Sequence, residues 1–326
     1  MPRLLLLLPT QTYRADAFIE AASHIDISVT VGMERDTANL AASSSEVLWL
    51  DVRNPQAAAQ AAVEFTRHHP IDAVIGVNDV TAVTAAAVAE AVGLPHNSVA
   101  SVTAAGNKRR MRELLSRQGL PVPPHAVFPF DGDSKTFAQQ VVYPCVLKPL
   151  ILSASCGVIR ANDEGEFMQA FRRVGALLTT LGLAATDEQA RWILVEDFVS
   201  GVEVALEGLL TNGAFQPLAI FDKPDPLDGP FFEETIYVTP SRLSSDVQQA
   251  IVACAGRTAE ALDLRDGPVH GEFRVNQNGV WVIEMAARAI GGRCSRTLDF
   301  AAGMSLEDVF LQLTGHLVDD VGSSDG

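Results

Sequence analysis

The chain has 326 residues, enough for two domains or one three-part enzyme, each with a real core. Hydrophobic residues make up 48% and aromatics only 6%, which fits an Ala/Val/Leu-rich α/β protein. The net charge of −16 argues against a nucleic-acid surface and gives no support to a membrane one, although a local pocket can still oppose the global sign.

The opening "MPRLLLLLPT" carries an apolar run only from Leu4 to Leu8 before a proline and polar residues. That is too short for a signal-peptide core or a membrane span, and it reads as a buried first strand. A helix follows in "ADAFIEAASHI", then strands in "DISVTVG" and "EVLWLDV". "PQAAAQAAVEFTRHH" is a helix and "IDAVIGV" a strand, and Asn78-Asp79 caps the helix "VTAVTAAAVAEAVGLP". The alternation predicts a small doubly wound parallel sheet over residues 1–104. No GxGxxG follows any of its strands, so a dinucleotide site has little support. The polar turn "PTQTYR" lies at a strand's carboxyl end, where open α/β sheets bind ligands. Tyr13 and Arg14 either touch substrate there or anchor the helix.

A second unit begins at "NKRRMRELLSRQGLPVPPH". Met111–Gln118 reads as an amphipathic helix stopped by Gly119 and Pro121, with Lys108, Arg109, Arg110 and Arg112 at its start. In "YPCVLKPLILSASCGVIRAND", Lys148 sits in an apolar strand, Val141–Leu150, where it must snorkel, pair or meet an anion. The small-residue turn "LSASCGV" could cradle phosphate oxygens with its backbone N–H groups. "RWILVEDFVSGVEVALEGLL" gives a strand ending in Glu196-Asp197, a turn at Ser200-Gly201, and a second strand on which Glu203 points opposite to Val202 and Val204. Residues 221–240, "FDKPDPLDGPFFEETIYVTP", read as a long loop that shapes a pocket. Lys223 could pair there with a substrate carboxylate, and Glu233 or Glu234 could receive an ammonium group or act as a base. Phe231 and Phe232 read as packing residues.

"GEFRVNQNGVWVIEMAAR", residues 271–288, reads as a hairpin with the three-residue loop Gln277-Asn278-Gly279. That loop pairs Asn276 with Val280 and, counting back, Glu272 with Glu284. Side chains so opposed lie about 4.5–5.5 Å apart at Cβ, where like charges destabilise a sheet unless something neutralises them. Arg288 follows, then "AIGGRCSRTL", whose Gly291-Gly292 pair permits close backbone approach. His270 either orients a neighbouring carboxylate or is simply packed. The cysteines Cys145, Cys156, Cys254 and Cys294 form no CxxC pair and no zinc spacing, and read as reduced thiols of a cytoplasmic chain.

The ordered set Lys108, Gly119-Leu120-Pro121, Lys148-Pro149, Ser155-Cys156-Gly157-Val158, Glu196, Gly201, Glu203, Glu272, Glu284 and Arg288 resembles the ATP-grasp superfamily. The carboxylate–amine (amino-acid and dipeptide) ligases look nearest and biotin carboxylase more distant. The resemblance spans roughly residues 100–316. It implies a two-lobed α+β ATP-grasp fold after the N-terminal sheet: a small lobe over 105–192 with the phosphate loop and a large lobe over 193–320 with the metal and substrate site; residues 321–326, ending in "GSSDG", read as a flexible tail. It also implies ATP bound by Lys108 and Lys148 at the phosphates, with Ser153, Ser155 and Gly157 in the closing loop. Glu196, Phe198 and Val199 would lie along the adenine edge, and Glu203 on the ribose.

Glu272 and Glu284 would hold Mg²⁺, with Mn²⁺ as a substitute, and this is what makes facing glutamates tolerable. Arg288 would act with Lys148 in catalysis by steadying an acyl phosphate, and Lys223, Glu234, Gly291 and Gly292 would face the substrates. Many relatives carry asparagine two residues after the second glutamate, where this chain has Ala286, which puts a second magnesium in doubt. The implied activity joins a small-molecule carboxylate to an amine through an acyl phosphate, with no nucleic-acid or membrane partner and a homodimer left open. A bicarbonate-activating enzyme and a non-catalytic nucleotide sensor stay open as alternatives.

Overall fold

The computed structural model describes residues 2–10, 12, 15–35, 46–291, 294 and 298. Tyr13, Arg14, Gly292 and the expected tail 321–326 lie outside them.

The N-terminal part runs β1 (Arg3–Leu7), α1 (Ala15–His24), β2 (Ser28–Met33), β3 (Glu46–Trp49), α2 (Pro55–Thr66), β4 (Ala73–Gly76), α3 (Asp79–Val92). Its strands are parallel in the order β3-β2-β1-β4. The leucine run follows from this position. Leu4, Leu6 and Leu8 pack with Phe18 of α1, while Leu5 and Leu7 pack with Ala58 and Ala62 of α2 and Val88 of α3. A strand covered on both faces has no polar side to show. Asn78 caps α3 through a reciprocal pair of hydrogen bonds with Thr81.

Next come α4 (Val99–Ala105) and α5 (Lys108–Arg117). The latter starts at Lys108 rather than Met111, because the Asn107 side chain caps it by accepting from the Arg110 amide at 3.0 Å. Met111 and Leu115 enter the core, and Lys108 and Arg112 are buried as well.

The second sheet is built from β5 (His125–Pro129), α6 (Ser134–Ala138), β6 (Cys145–Pro149), β7 (Ile159–Ala161), α7 (Glu164–Thr180), α8 (Leu183–Thr186) and β8 (Trp192–Asp197). Its order is β5-β8-β6-β7, antiparallel, with Phe167, Phe171 and Val174 of α7 packed on Leu147, Ile193 and Val195. The strand expected from Val141 begins only at Cys145, since Pro144 has no N–H for a ladder.

The third sheet contains β9 (Val202–Thr211), β10 (Ala214–Lys223), β11 (Gly267–Asn276) and β12 (Gly279–Ala286), with α9 (Ser245–Ala261) between β10 and β11 in the chain. Its order is β10-β9-β11-β12, again antiparallel. One face buries Val204, Leu206, Phe273 and Val282 against α5 and α9. β10 continues to Lys223, so the expected loop is shorter than 221–240.

The last hairpin corrects the sequence reading in its route but not in its pairing. Asn276 pairs with Gly279, not Val280, which makes the loop two residues, Gln277 and Asn278. The one-residue difference is taken up by a bulge: Phe273 pairs with Val282 and Glu272 with Glu284, leaving Ile283 without an opposite residue. The two glutamates therefore do face each other, through a bulge that periodicity alone does not announce.

Gly201, in the turn before β9, has φ +125°, and a Cβ there would lie 2.2 Å from the Val275 carbonyl oxygen. Backbone cannot yield as a flexible side chain would, so Gly201→Ala should cost about 1–3 kcal/mol of unfolding free energy. Urea unfolding measures it, and an unchanged midpoint would show that the turn relaxes.

Candidate functional site

The three sheets meet around a cleft of about 460 Å³, within the range of about 300–1,000 Å³ common for ligand sites. Lys108, Lys148, Ser153, Ser155, Glu196, Phe198, Val199, Glu203, Glu234, Glu272, Glu284, Arg288 and Gly291 all line it. Gly157 and Lys223 are not part of the lining. Gly157 is packed instead against Pro149 and Leu177, with φ +77°. From the N-terminal sheet, Pro9, Thr12, Asn78 and Asp79 reach the same cleft from the carboxyl ends of β1 and β4.

The charged wall is one face of the third sheet, and strand alternation assembles it. Glu203 and Glu207 share a face of β9, and His270, Glu272 and Arg274 share a face of β11. Register then sets the pairs: Lys223 lies opposite Glu203, Glu203 opposite Arg274, Glu207 opposite His270, and the small Ala205 opposite Glu272. Arg274 Nε donates to Glu203 Oε2 at 2.8 Å and its Nη1 to the Val199 carbonyl at 2.8 Å. Glu207 is fully buried, bonded to His270 Nδ1 at 2.5 Å and accepting from the Ile290 amide at 2.8 Å. Burial alone would lower the His270 pKa, but the Glu207 carboxylate outweighs it and pushes it up to about 9.

Lys223 has a different partner set from the substrate carboxylate expected of it. Its Nζ donates to Glu203 at 3.0 Å, Glu234 at 2.5 Å and Glu272 at 3.1 Å. One oxygen from each of these carboxylates lies within 4.8 Å of the others, so the trio has the spacing of a cation site, and the lysine's own ammonium lies among them. Burial opposes the charge, yet the three carboxylates raise the Lys223 pKa. Burial also raises the Glu234 pKa, with the nearby Glu272 charge adding to it. Tyr237 donates its hydroxyl to Glu234 Oε2 at 2.6 Å and sets its ring 5.3 Å from the ammonium.

The opposed glutamates each have cationic neighbours. Glu272 Oε1 meets Lys223 and, at 3.5 Å, His270 Nε2, while Glu284 Oε2 lies 3.5 Å from Lys108 Nζ. Burial would raise the Glu272 pKa, but Lys223 and His270 together hold it well below the ordinary carboxylate range. Glu272 and Glu284 are hard oxygen donors facing each other beside Lys108 and Lys148, a donor set that fits Mg²⁺. Ala286, at the position that put a second magnesium in doubt, is buried opposite His270.

Lys148, the strand lysine that had to pair or meet an anion, pairs: Nζ lies 2.7 Å from Glu196 Oε2. Arg112 binds the other oxygen of Glu196. Burial would raise the Glu196 pKa, but Arg112 and Lys148 bring it down to about 2. The amides of Asp197 and Phe198 already donate, to the carbonyls of Pro124 and Pro144, each at 2.9 Å. Lys108 Nζ also donates to the Leu152 carbonyl at 2.7 Å, at the base of the serine-rich loop. Arg288 forms a two-point ion pair with Asp79, at 2.8 Å and 3.3 Å, across to the start of α3.

Sequence reasoning did not single out Asp79 beyond its capping place, nor Glu207, Arg274 or Tyr237. The signal available was charged or titratable residues confined to one alternating face of otherwise apolar strands: 203 and 207, with Ala205 between them, on one, and 270, 272 and 274 on the other.

With this geometry in place, comparison with known proteins defines the class. The ATP-grasp domain family matches residues 141–297 and the ATP-grasp N-terminal domain family residues 19–96. The chain belongs to the ATP-grasp superfamily. It is similar to alanine–anticapsin ligase of Bacillus subtilis, 25% identical over 256 residues, covering 74% of this chain and 54% of that protein. It is also similar to D-alanine–D-alanine ligase of Stutzerimonas stutzeri (strain A1501), 24% identical over 239 residues, covering 71% and 70%. Among solved structures it resembles L-amino acid ligase from Bacillus licheniformis, with TM-score 0.78 and 25% identity over 97% of this chain and 75% of that one. The chain spans about half the length of the alanine–anticapsin ligases it matches.

Two outcomes follow from the ion pairs. Glu196 has its folded pKa depressed from 4.5 to about 2, so its roughly 3 kcal/mol of stability is present above pH 4.5 and lost as pH falls toward 2. Glu196→Gln should therefore be less stable than the parent at pH 7 and show a flatter acid limb, read by urea unfolding across pH 2–7. Lys223→Met removes the cation shared by three partly exposed carboxylates, leaving Glu203 to Arg274 and Glu272 to His270, and should cost about 1–3 kcal/mol, with part regained in the Lys223→Met/Glu234→Gln double variant. A double variant no more stable than Lys223→Met would remove Glu234 from the cluster's charge balance.

Proposed function

We propose that the chain is an ATP-dependent carboxylate–amine ligase that forms an amide or peptide bond through an acyl phosphate and releases ADP and phosphate. The observation that carries this reading is the opposition of Glu272 and Glu284 beside Lys108, in one cleft with Lys148 and Arg288. The named ligases among its relatives support it.

In this reading Lys108 and Lys148 receive the phosphates as point charges, and Ser153, Ser155 and Gly157 belong to the loop that covers them. Phe198 and Val199 border the adenine, and Glu196 acts there by fixing Lys148. Glu203, already held by Lys223 and Arg274, keeps lone pairs for ribose hydroxyls. Glu272 and Glu284 hold Mg²⁺, or Mn²⁺ in its place, and the ion supplies charge neutralisation at the phosphates. Arg288, fixed by Asp79 through Nε and Nη2 and by the Ala289 carbonyl through Nη1, offers the remaining N–H groups of Nη1 and Nη2 to the charge that develops on the acyl group. Gly291 leaves room at the acceptor side, and Glu234 takes the substrate ammonium, with Lys223 acting through it rather than on the substrate.

The division 1–104, 105–192 and 193–320 then separates a domain that closes the acceptor end from lobes that carry phosphate and metal. The four cysteines form no disulfide with one another. Among the described residues no helix is long and apolar enough to cross a membrane.

The test is interception of the acyl phosphate. With ATP, Mg²⁺, a panel of amino and other carboxylic acids, and hydroxylamine in place of the amine, the protein should release ADP and form a hydroxamate from at least one acid. Arg288→Lys keeps the charge but loses the planar fork, so hydroxamate yield should fall at least about tenfold more than ATP affinity. ADP release stimulated by bicarbonate alone, with no hydroxamate from any acid, would overturn the ligase reading.

A further inference from the structure

Arg112 lines no part of the cleft, yet it touches what places two of the residues that do. Its side chain is fully buried. Nε donates to Glu196, whose other oxygen holds Lys148, and Nη2 donates to the Ile283 carbonyl at 2.5 Å. Nη1 is buried without a hydrogen-bond partner, so two of three nitrogens hold the group at this depth.

Ile283 is the bulge residue, and the bulge decides where Glu284 points. Val282 is in the core and Glu284 lines the cleft. In a regular strand residues two apart share a face, so 282 and 284 would point the same way. The extra residue turns Glu284 to the cleft and leaves the Ile283 carbonyl out of the ladder, where it needs a donor. Helix α5 supplies one. Lys108 and Arg112 are four residues apart, on one face of that helix. The first reaches the Glu284 side chain, and the second reaches the carbonyl of the residue before it.

We propose that Arg112 is a positioning residue: it locks the bulge at Ile283, and so the setting of Glu284 opposite Glu272, to the same buried carboxylate that sets Lys148. This rests on the reading of the cleft as a magnesium–nucleotide site. The guanidinium joins the strand of the adenine edge to the hairpin of the metal carboxylates and touches neither nucleotide nor ion. Lysine in its place can keep the charge on Glu196 but not the fork that spans both partners.

The test is calorimetric binding of ADP, with and without Mg²⁺, to the parent chain and to R112K, R112Q, E284Q, L115A and the R112K/E284Q double variant. Residues that orient metal ligands typically contribute on the order of 10–100-fold to metal affinity, so R112K and R112Q should lose at least about tenfold of the Mg²⁺ enhancement of ADP binding. Their loss of Mg²⁺-free ADP affinity should be smaller. The enhancement in R112K/E284Q should be no lower than in E284Q alone, because both changes act at one place. L115A, which loosens α5 without touching a charge, should melt earlier and keep the enhancement. R112K and R112Q behaving like L115A, or losing ADP affinity equally with and without Mg²⁺, would overturn the proposal. A parent chain that binds no ADP would instead overturn the nucleotide reading itself.

Discussion

A buried ammonium group stays charged only where anions surround it, and the seat of Lys223 among Glu203, Glu234 and Glu272 organises the whole charged wall. The lysine ends β10, Glu203 opens β9, Glu272 sits within β11 and Glu234 belongs to the loop that follows β10. One side chain thus ties three strand or loop segments to β10, and each tie has a consequence beyond itself. Glu203 is shared with Arg274, whose Nη1 holds the Val199 carbonyl, so the segment after β8 is fixed to the third sheet. Glu272 is shared with His270, which is held by Glu207, and Glu207 also holds the backbone at Ile290 beside Gly291. Replacing any of these charges changes the partner count of the next one, and this is how a sheet face with so many carboxylates stays in register.

The opposite face of the same sheet is apolar and packs on α5 and α9. The sheet therefore separates a dry core from a charged cleft across the thickness of one strand layer. That separation explains the bulge at Ile283: the hairpin must place Val282 in the core and Glu284 in the cleft, which a regular alternation forbids. Arg288 performs the equivalent closure at the other end. Its ion pair with Asp79 joins the segment after β12 to the first helical turn of α3, where a carboxylate is also favoured by the helix dipole.

Local patterns made much of this legible. The leucine run, the Asn78 cap and the facing pair Glu272 and Glu284 could be read because each depends on residues close in sequence, or on one turn. The hairpin shows the limit. The correct glutamate pair came from a three-residue loop, whereas the chain uses a two-residue loop plus a bulge, and the two errors of one residue cancel. Lys223 was read as a substrate contact because its loop is polar and acidic. Its actual partners are set by the β10-β9-β11 register, which joins residues 20 and 49 positions apart. Arg112 was legible only as one of four cations between 108 and 112, and the sequence reading did not separate the two that face inward, Lys108 and Arg112, from the two that face water. Charge alternation within apolar strands was the one sequence cue for Glu207 and Arg274, and it marks a buried polar face without naming the pairs.

The balance of the cleft says how a ligand must enter it. Asp79, Glu196, Glu203, Glu207, Glu234, Glu272 and Glu284 are each in ion-pair contact with one or more of Arg288, Arg112, Lys148, Lys223, Arg274, His270 and Lys108. With His270 pushed up to about 9, these groups balance within a chain of net charge −16. A divalent cation alone would add positive charge to a wall already neutralised by its own lysines. A triphosphate alone would add a larger negative charge to carboxylates that those lysines now shield. Under the proposed reading, ion and phosphates arriving together would offset each other, with Glu284 and Glu272 to hold the ion and Lys108, now 3.5 Å from Glu284, to meet the phosphates. The lysines thus hold the carboxylates in position before any ligand is bound. The field that would act on a transferring phosphoryl group is built with the fold rather than assembled at the moment of reaction.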